Sequence, residues 1–541
     1  MSITRIIGGS LTKTATGNID IHATNGDLNL GAATFNNWHG EQEGIFHHDY
    51  DPLHPADSMS NRLDLTLNLF FDGTTNNRNN TEAREKNKKE YQENSNKKDD
   101  SYENDYTNIA KAFDATSVKH PTQKSVYIEG VGTTDLKSDD LLPVGLGQSA
   151  GFWNTGIKDK VKVACRKGAL EIKNAAKGKP IDSLIINVYG FSRGAATARH
   201  FLKITNIGYT VKVSKNGQFL LPGDMKPMKY PENTKDKKKP PYPESFEITS
   251  GYFGRCLIDN KVFEVGEIIY NFVGLYDTVS SHGFNHNNDV KDLGLDAIKK
   301  AKMVFQLSAA DEYRENFDLT NIQSAGLKGL ELTLPGVHSD IGGSYIDYAT
   351  ERSVVYEEIY TEIRDANYNF VPYTKNIELF KEILVKEGWY RNYELTPEFK
   401  YDKKKTYLVG NRILENAYDK IALNKMIMVS KQFNVVYDEV LEEQKTNISD
   451  PFLADVFNHL TRYSQAVMLH RNQSIKEKKS VIEYLKESQQ ISYVDYIDQT
   501  VLKELRHRYL HWSVKADQFG LGPRFNDILP AEKRKRQIQN G

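Results

Sequence analysis

The chain has 541 residues, 39% of them hydrophobic and 26% charged, with a formal net charge of -1 at pH 7; this describes a globular protein with ample core material and excludes a fibrous or disordered one. So even a balance lacks the overall basic excess on which nucleic-acid binding depends, and no run approaches the roughly 20 apolar residues of a membrane span. The two cysteines, Cys165 and Cys256, offer neither a disulfide framework nor a metal-binding spacing, and the first residues, MSITRIIGGSLTKTATG, lack the apolar core and cleavage site of a secretory signal, which suits synthesis in the cytoplasm.

Residues 1–60 stand apart from the rest. Gly17–Asn25 and Gly26–Thr34 form a nine-residue repeat that aligns Ile19 with Leu28, Ile21 with Leu30 and Ala23 with Ala32. Alternating apolar residues between glycines read as short strands at a solenoid-like period. Two copies bury little surface, so the segment is expected either to dock on a carrier or to lie as a hairpin on the main domain.

That main domain is expected over 61–350. LDLTLNLFF, Leu63–Phe71, reads as a strand running into Asp72-Gly73-Thr74-Thr75-Asn76-Asn77, a turn rich in backbone donors. Arg84 to Asp105 is polar, mixed in charge and nearly free of apolar residues, and is expected to be a mobile surface loop. SVYIEGVGTT then gives a second strand ending in glycines, and a helix is expected around Ile157 to Ala176. Next comes SLIINVYGFSRGAATARHF, Ser183 to Phe201, in which Gly190 and Gly194 bracket Ser192 as G-x-S-x-G. A buried strand before the serine and small residues after it fit a nucleophile elbow, where a sharp strand-to-helix turn displays the hydroxyl. Gly147-Gln148-Ser149-Ala150-Gly151 has the same spacing but follows the loop-like LLPVGLG, so Ser149 lacks the context.

Tyr209 to Val265 reads as an insertion of short alternating segments around the charged, proline-broken NTKDKKKPPYP, a solvated loop. EIIYNFVGLYDTVSS is an apolar run that releases Asp277; GLELTLPGVHSDIGGSY is another that releases His338, Ser339 and Asp340. Strands alternating with helices imply an α/β fold with a largely parallel sheet and a ligand site beyond the carboxyl ends of the strands. From about Glu351 to the last residue the pattern is mainly helical, a cap or accessory region that closes with LRHRYLHWS and a basic tail read as solvated.

A serine hydroxyl needs a base to take its proton and a third group to orient that base. Ser192, Asp277 and His338 stand in the chain order of α/β-hydrolases, each where a predicted strand ends. The oxyanion donors are expected to be the backbone N–H of Arg193 and a second N–H from Gly73 or Thr74. Asp340 is a rival for the acid, and Asp72 a cap for its own turn. His282 and His286 read as surface residues, and His507 and His511, at i and i+4, fit a packed or an exposed helix equally well. No HExxH or similar spacing occurs, so neither a metal nor a cofactor is expected.

FFDGTTNN, YIEGVGT, GFSRGAATAR, GLYDTVSS and LPGVHSDIGGSY together resemble the catalytic domain of type VI secretion lipase effectors of the first Tle class, over roughly Leu63 to Tyr345. The resemblance implies an α/β-hydrolase fold, phospholipase A activity on membrane phospholipids and the triad Ser192, Asp277 and His338. It also implies export on type VI spike or tube proteins, action in the periplasm of a rival bacterium, and a cognate immunity protein. Two departures bear on this. The Tyr209–Val265 segment is larger than the family pattern needs, which leaves the lid open, and the repeat-bearing amino terminus lies outside that pattern, which leaves the loading route open. A hydrolase of small soluble esters or thioesters, and a non-enzymatic secretion-tip adaptor on a hydrolase scaffold, are the alternatives.

Overall fold

The computed structural model describes residues 62–541 other than 95–99, 117–119, 141–155, 206, 222–225, 234–239, 281–288, 365–366, 368–369, 519–520, 525–528 and 531–532. The nine-residue repeat, the second serine motif around Ser149, and His282 and His286 therefore lie outside the described residues.

Six apolar stretches form the central sheet: β1 (Leu63–Phe71), β2 (Gln123–Ile128), β3 (Ile181–Phe191), β4 (Val265–Tyr276), β5 (Met303–Ala309) and β6 (Gly329–Leu334). Their order is β6-β5-β4-β3-β1-β2. β1 with β2, β3 with β4, β4 with β5 and β5 with β6 pair in parallel. The chain thus runs outward from β1 to β2, returns to the other side of β1, and then proceeds steadily to the far edge. The reversal lies between β1 and β3, the place where open α/β sheets leave a crevice at their carboxyl ends. β1, β3 and β4 each end in at least five consecutive buried residues, so the turns beyond these strands start from a rigid floor.

Alternation along a strand sends successive side chains to opposite faces, and β1 shows it. Leu67 and Leu69 meet Gly168 of helix α1 (Ile157–Ala176) and Phe71 packs on Phe201 of helix α2 (Arg193–Ile204). Phe70 faces the other way, stacked on Tyr189 at 4.5 Å and edge-on to Phe113 of the helix Asn108–Ala115. That second face carries the main core, which runs from Phe70, Tyr189 and Phe272 through Leu423 and Leu460 to Trp512. The C-terminal stretch and the sheet therefore share one hydrophobic interior.

The helix expected around Ile157 to Ala176 has those bounds. Arg84 to Asp105 differs from the expected mobile loop. It holds the helices Lys89–Asn94 and Asp100–Glu103, with Tyr102 fully buried. Its polar side chains are used internally: Arg84 Nη1 donates to the carbonyls of Glu103 and Asn104, and Asn80 Nδ2 to Ser101 Oγ. Composition reads polarity as exposure, and it is blind to bonds of this kind. The insertion after α2 begins as two antiparallel pairs, Tyr209–Lys212 with Ser245–Ile248 and Gln218–Phe219 with Met228–Lys229, around a small core of Val211, Phe219, Leu221, Ile248 and Ile258. The C-terminal stretch is helical, as expected, with an addition that periodicity did not reveal: an antiparallel sheet of Ala349–Ile359, Leu395–Lys400 and Lys405–Leu414.

The basic tail is the clearest departure. Read as solvated, it instead folds back on the domain, with Ile538–Gln539 pairing in parallel with Leu319–Thr320 as a separate two-stranded sheet and Arg534 buried. Paired guanidiniums lose far less on burial than free ones, and a count of charges carries no information about the acids they will meet.

Candidate active site

The turn after β3 is dictated by contact. A Cβ on Gly190 would sit 2.5 Å from the Ala195 Cα, and one on Gly194 2.1 Å from the Asp72 carbonyl oxygen. Neither position has room for a side chain, which accounts for both glycines of G-x-S-x-G. Ser192 between them has φ 58° and ψ -128°, a sparsely populated conformation that costs about 1–3 kcal/mol and persists only where its surroundings impose it. Here they do: Ser192 N–H donates to the Tyr276 carbonyl at the end of β4, and its own carbonyl accepts from Val279 N–H. The small residues of α2, Gly194 to Ala198, are all buried, letting that helix start directly beneath the serine.

Asp277 follows β4 immediately and is fully buried. Its Oδ2 lies 2.5 Å from Nδ1 of His338, and its Oδ1 accepts from Ala309 N–H at 2.9 Å. Burial alone pushes this carboxyl up, but Arg536 and the bond from His338 outweigh it and hold Asp277 well below the usual carboxylate range. His338 opens a short helical turn beyond β6. Its backbone N–H donates to Glu312 Oε2 at 3.2 Å, and its ring is wedged between Phe191 at 4.6 Å and Phe317 at 5.1 Å. Burial lowers the His338 pKa, with Asp277 working against that shift. Its Nε2 is buried with no hydrogen-bond partner. No hydrogen bond joins it to Ser192 Oγ in this arrangement; such bonds are often long until substrate settles. A neutral imidazole held at Nδ1 by a carboxylate, with Nε2 open, is a group that can take a proton from a nearby hydroxyl.

The turn after β1 lies against the elbow. Asp72 is buried, and its carboxylate accepts from Gly73 N–H at 2.7 Å, Thr107 Oγ1 at 2.6 Å and Tyr127 OH at 2.5 Å; burial raises its pKa to about 6 against these bonds. Asp72 thus caps its own turn, and Gly73 N–H is engaged there. Of the two expected donors in this turn, Gly73 is thus already bonded, and the Thr74 hydroxyl accepts from Arg193 Nε at 2.7 Å. Elbow and turn are thereby tied side chain to side chain.

The rivals separate cleanly. Asp340 faces away from His338: its Oδ2 accepts from Val337 N–H at 2.9 Å, and its Oδ1 lies 2.7 Å from His511 Nδ1. His511 stacks on Tyr345 at 3.6 Å, while His507 reaches Glu394, so the two do not converge. Among the described residues no three His, Cys, Asp or Glu side chains are grouped to hold a metal.

Two contributors are missing from the sequence reading. Glu312, buried and paired with Arg314, anchors the His338 backbone. Arg536 reaches Asp277 with both terminal nitrogens, Nη1 to Oδ1 at 2.6 Å and Nη2 to Oδ2 at 2.9 Å. Nothing local marks Arg536 in a run of basic residues. A cavity of about 220 Å³ beside it is lined by Glu312, Tyr313 and Arg534 to Arg536, and neither Ser192 nor the Thr74 turn lines it.

A family model described as T6SS, phospholipase effector Tle1-like, catalytic domain, matches residues 66–362, more than half of the chain. Among solved structures, the Tle1 effector bound to the VgrG spike of the type 6 secretion system is similar with a TM-score of 0.52 at 19% identity, over 89% of this chain and 94% of that one. At that identity the likeness concerns the fold, an α/β-hydrolase. An uncharacterized protein from Pseudomonas aeruginosa aligns over 80% of this chain and 53% of its own at 15% identity, with a TM-score of 0.35. No curated protein matches.

Proposed function

Since the chain belongs to the Tle1-like family of type VI secretion phospholipase effectors, we propose that it hydrolyses acyl esters of membrane phospholipids, as a phospholipase of the A type, with Ser192 as nucleophile, His338 as general base and Asp277 as its orienting acid. The observation that carries this reading is the buried Asp277–His338 pair at the carboxyl end of a sheet whose next strand ends in the strained serine elbow.

In this mechanism Ser192 Oγ attacks the ester carbonyl carbon while His338 Nε2 takes its proton. The tetrahedral oxyanion is held by the backbone N–H groups of Arg193 and Thr74. Collapse breaks the bond to the lysophospholipid oxygen, which receives the proton from His338. Water, deprotonated by the same nitrogen, then releases the fatty acid from Ser192. Asp277 keeps Nδ1 protonated throughout and stabilises the transient imidazolium.

Arg193 supports a phospholipid over a small neutral ester. Beyond its bond to Thr74, its guanidinium has no acidic partner among the described residues, and burial with nothing to offset it lowers its pKa to about 10. An unpaired cation beside the nucleophile suits a substrate whose phosphate lies a few bonds from the ester. Arg193→Met keeps the backbone N–H, and it is expected to lower the ratio of kcat/KM for a phospholipid to that for a phosphate-free glyceride by about ten- to a hundredfold, the worth of a charged hydrogen bond. An unchanged ratio would make Arg193 a brace for Thr74 and favour the soluble-ester alternative.

No helix among the described residues is long and apolar enough to cross a membrane, so the lipid is met at the bilayer surface. Asn104 bonds the Thr75 carbonyl and Asn76 Oδ1, so the end of the Arg84–Asp105 segment lies against the turn after β1. That segment and the Tyr209–Val265 insertion are the gate candidates. The solved effector is bound to a VgrG spike; a spike or tube protein is the carrier proposed here, with segment 1–60 as docking region, action in the periplasm of target bacteria, and a cognate immunity protein in the producer.

Purified protein incubated with defined phospholipids, with products identified by mass spectrometry, tests the reading. Lysophospholipid and free fatty acid in equal amounts are expected, together with toxicity when the protein is directed to the periplasm and little when it stays in the cytoplasm. Intact phospholipids with hydrolysis of soluble esters would replace it with the esterase reading. Neither activity, with retained secretion, would favour the adaptor.

A further inference from the structure

The last residues of the chain reach the acid of the site. Arg534 is buried, paired with Glu387 and set over the rings of Tyr313 and Trp512. Two residues on, Arg536 lays its fork on Asp277 and donates from Nε to the Phe317 carbonyl at 2.7 Å. Ile538–Gln539 then adds to Leu319–Thr320, the Gln539 side chain meets Ser280 Oγ and Asp318, and Gly541 N–H donates to Asn321 Oδ1. The segment is held at both ends, with Arg536 between the anchors.

A fully buried carboxylate must be compensated. Asp277 has one backbone donor, Ala309 N–H; its other donors are His338 and the two nitrogens of Arg536. Two parallel N–H···O bonds fix the plane of a carboxylate as well as its charge. That plane decides whether Oδ2 faces Nδ1 of His338. We propose that Arg536 is a positioning residue for the Asp277–His338 pair, and that segment 534–541 is a strap whose docking completes the general base. This rests on the triad proposed above.

The strap also sets the electrostatics of the base. A cation on Asp277 weakens the hold of that carboxylate on an imidazolium. The other charged groups facing the pair are Glu312 and Arg314, which neutralise one another, and Glu331, which is close enough to feel the Asp277 charge. Removing Arg536 alone leaves Asp277 uncompensated, favours the charged imidazole and raises the His338 pKa. The base must be neutral to act, so the acid limb of kcat/KM moves to higher pH. In the intact protein, burial keeps His338 low, and this limb is expected below about pH 6.5, the ordinary histidine value.

The full chain carrying Arg536→Ala, Arg536→Lys or, as a control on the exposed neighbour, Lys535→Ala is assayed on one soluble ester across pH. Arg536→Ala is expected to lower kcat by about a hundredfold, the cost of a misplaced catalytic group, with KM little changed and the acid limb raised by about one unit. Millimolar guanidinium is expected to restore at least part of the rate, and sodium chloride at equal ionic strength none. Arg536→Lys keeps the charge without the fork, so its limb stays in place while kcat falls. Lys535→Ala behaves as the intact protein. A rate and pH profile unchanged in Arg536→Ala overturn the proposal. So does a loss that is uniform in pH, present in Arg536→Lys to the same degree and indifferent to guanidinium, since that marks a strap with a purely structural role. If Arg536→Ala does not fold, Arg536→Lys decides: an undiminished kcat overturns the proposal. An intact protein inactive on every ester instead removes the triad reading beneath it.

Discussion

Ser192→Ala is expected to abolish ester hydrolysis, with kcat falling by on the order of 10⁶-fold, the scale seen when a serine hydrolase loses its nucleophile. The size follows from there being no substitute. In the proposed mechanism His338 could activate a water, but only the covalent route uses the hydroxyl that the elbow displays. The fold should not suffer. Ser192 owes its conformation to bonds from its own backbone N–H and carbonyl, which alanine retains, and alanine is no worse than serine at φ 58°. Thermal unfolding within about a degree or two of the parent, with activity lost, is the expected pair of results, and periplasmic toxicity should vanish with the activity. Ser149→Ala should leave hydrolysis largely intact. Equal activity in the parent and Ser192→Ala would end the elbow assignment.

Asp277→Asn is expected to cost about 10⁴-fold in kcat, the effect of forcing the wrong histidine tautomer in a serine protease. Stability falls as well, because Arg536 loses a buried counter-charge and an unpaired buried cation is costly. The rate must therefore be expressed per folded molecule, from active protein quantified below its unfolding midpoint. Asp340→Asn is the informative comparison. Asp340 secures the Val337 N–H and His511, so its loss should lower stability by about 1–3 kcal/mol while changing the rate per folded molecule by no more than about tenfold. A larger rate loss at Asp340 than at Asp277 would transfer the acid to Asp340.

The elbow was legible from sequence because its causes are local. A strand must be apolar to be buried, Gly190 and Gly194 must be glycine because a Cβ on either would lie within 2.5 Å of neighbouring backbone, and the small residues of α2 follow from the same closeness. Each leaves its mark within a dozen residues of Ser192. Asp277 and His338 were legible for a similar reason, since each is the first polar group released at the end of an apolar run. Their pairing is expected from chain order, with Asp340 left as a rival. Asp277 and Asp340 are equally acidic on paper, and only the sheet order, which sets β4 beside β5 and β5 beside β6, turns one toward His338 and the other toward His511. The same holds for the engagement of Gly73 N–H by Asp72, and for the short helix Asp100–Glu103, which buries Ser101 and Tyr102. Arg536 stands furthest from prediction: it meets Asp277 across 259 positions of sequence, through a strap whose composition reads as solvent-exposed. Periodicity and turn chemistry are short-range constraints and are written in adjacent residues. Which charge a buried carboxylate finds is decided by topology, because burial makes compensation obligatory without saying from where in the chain it comes.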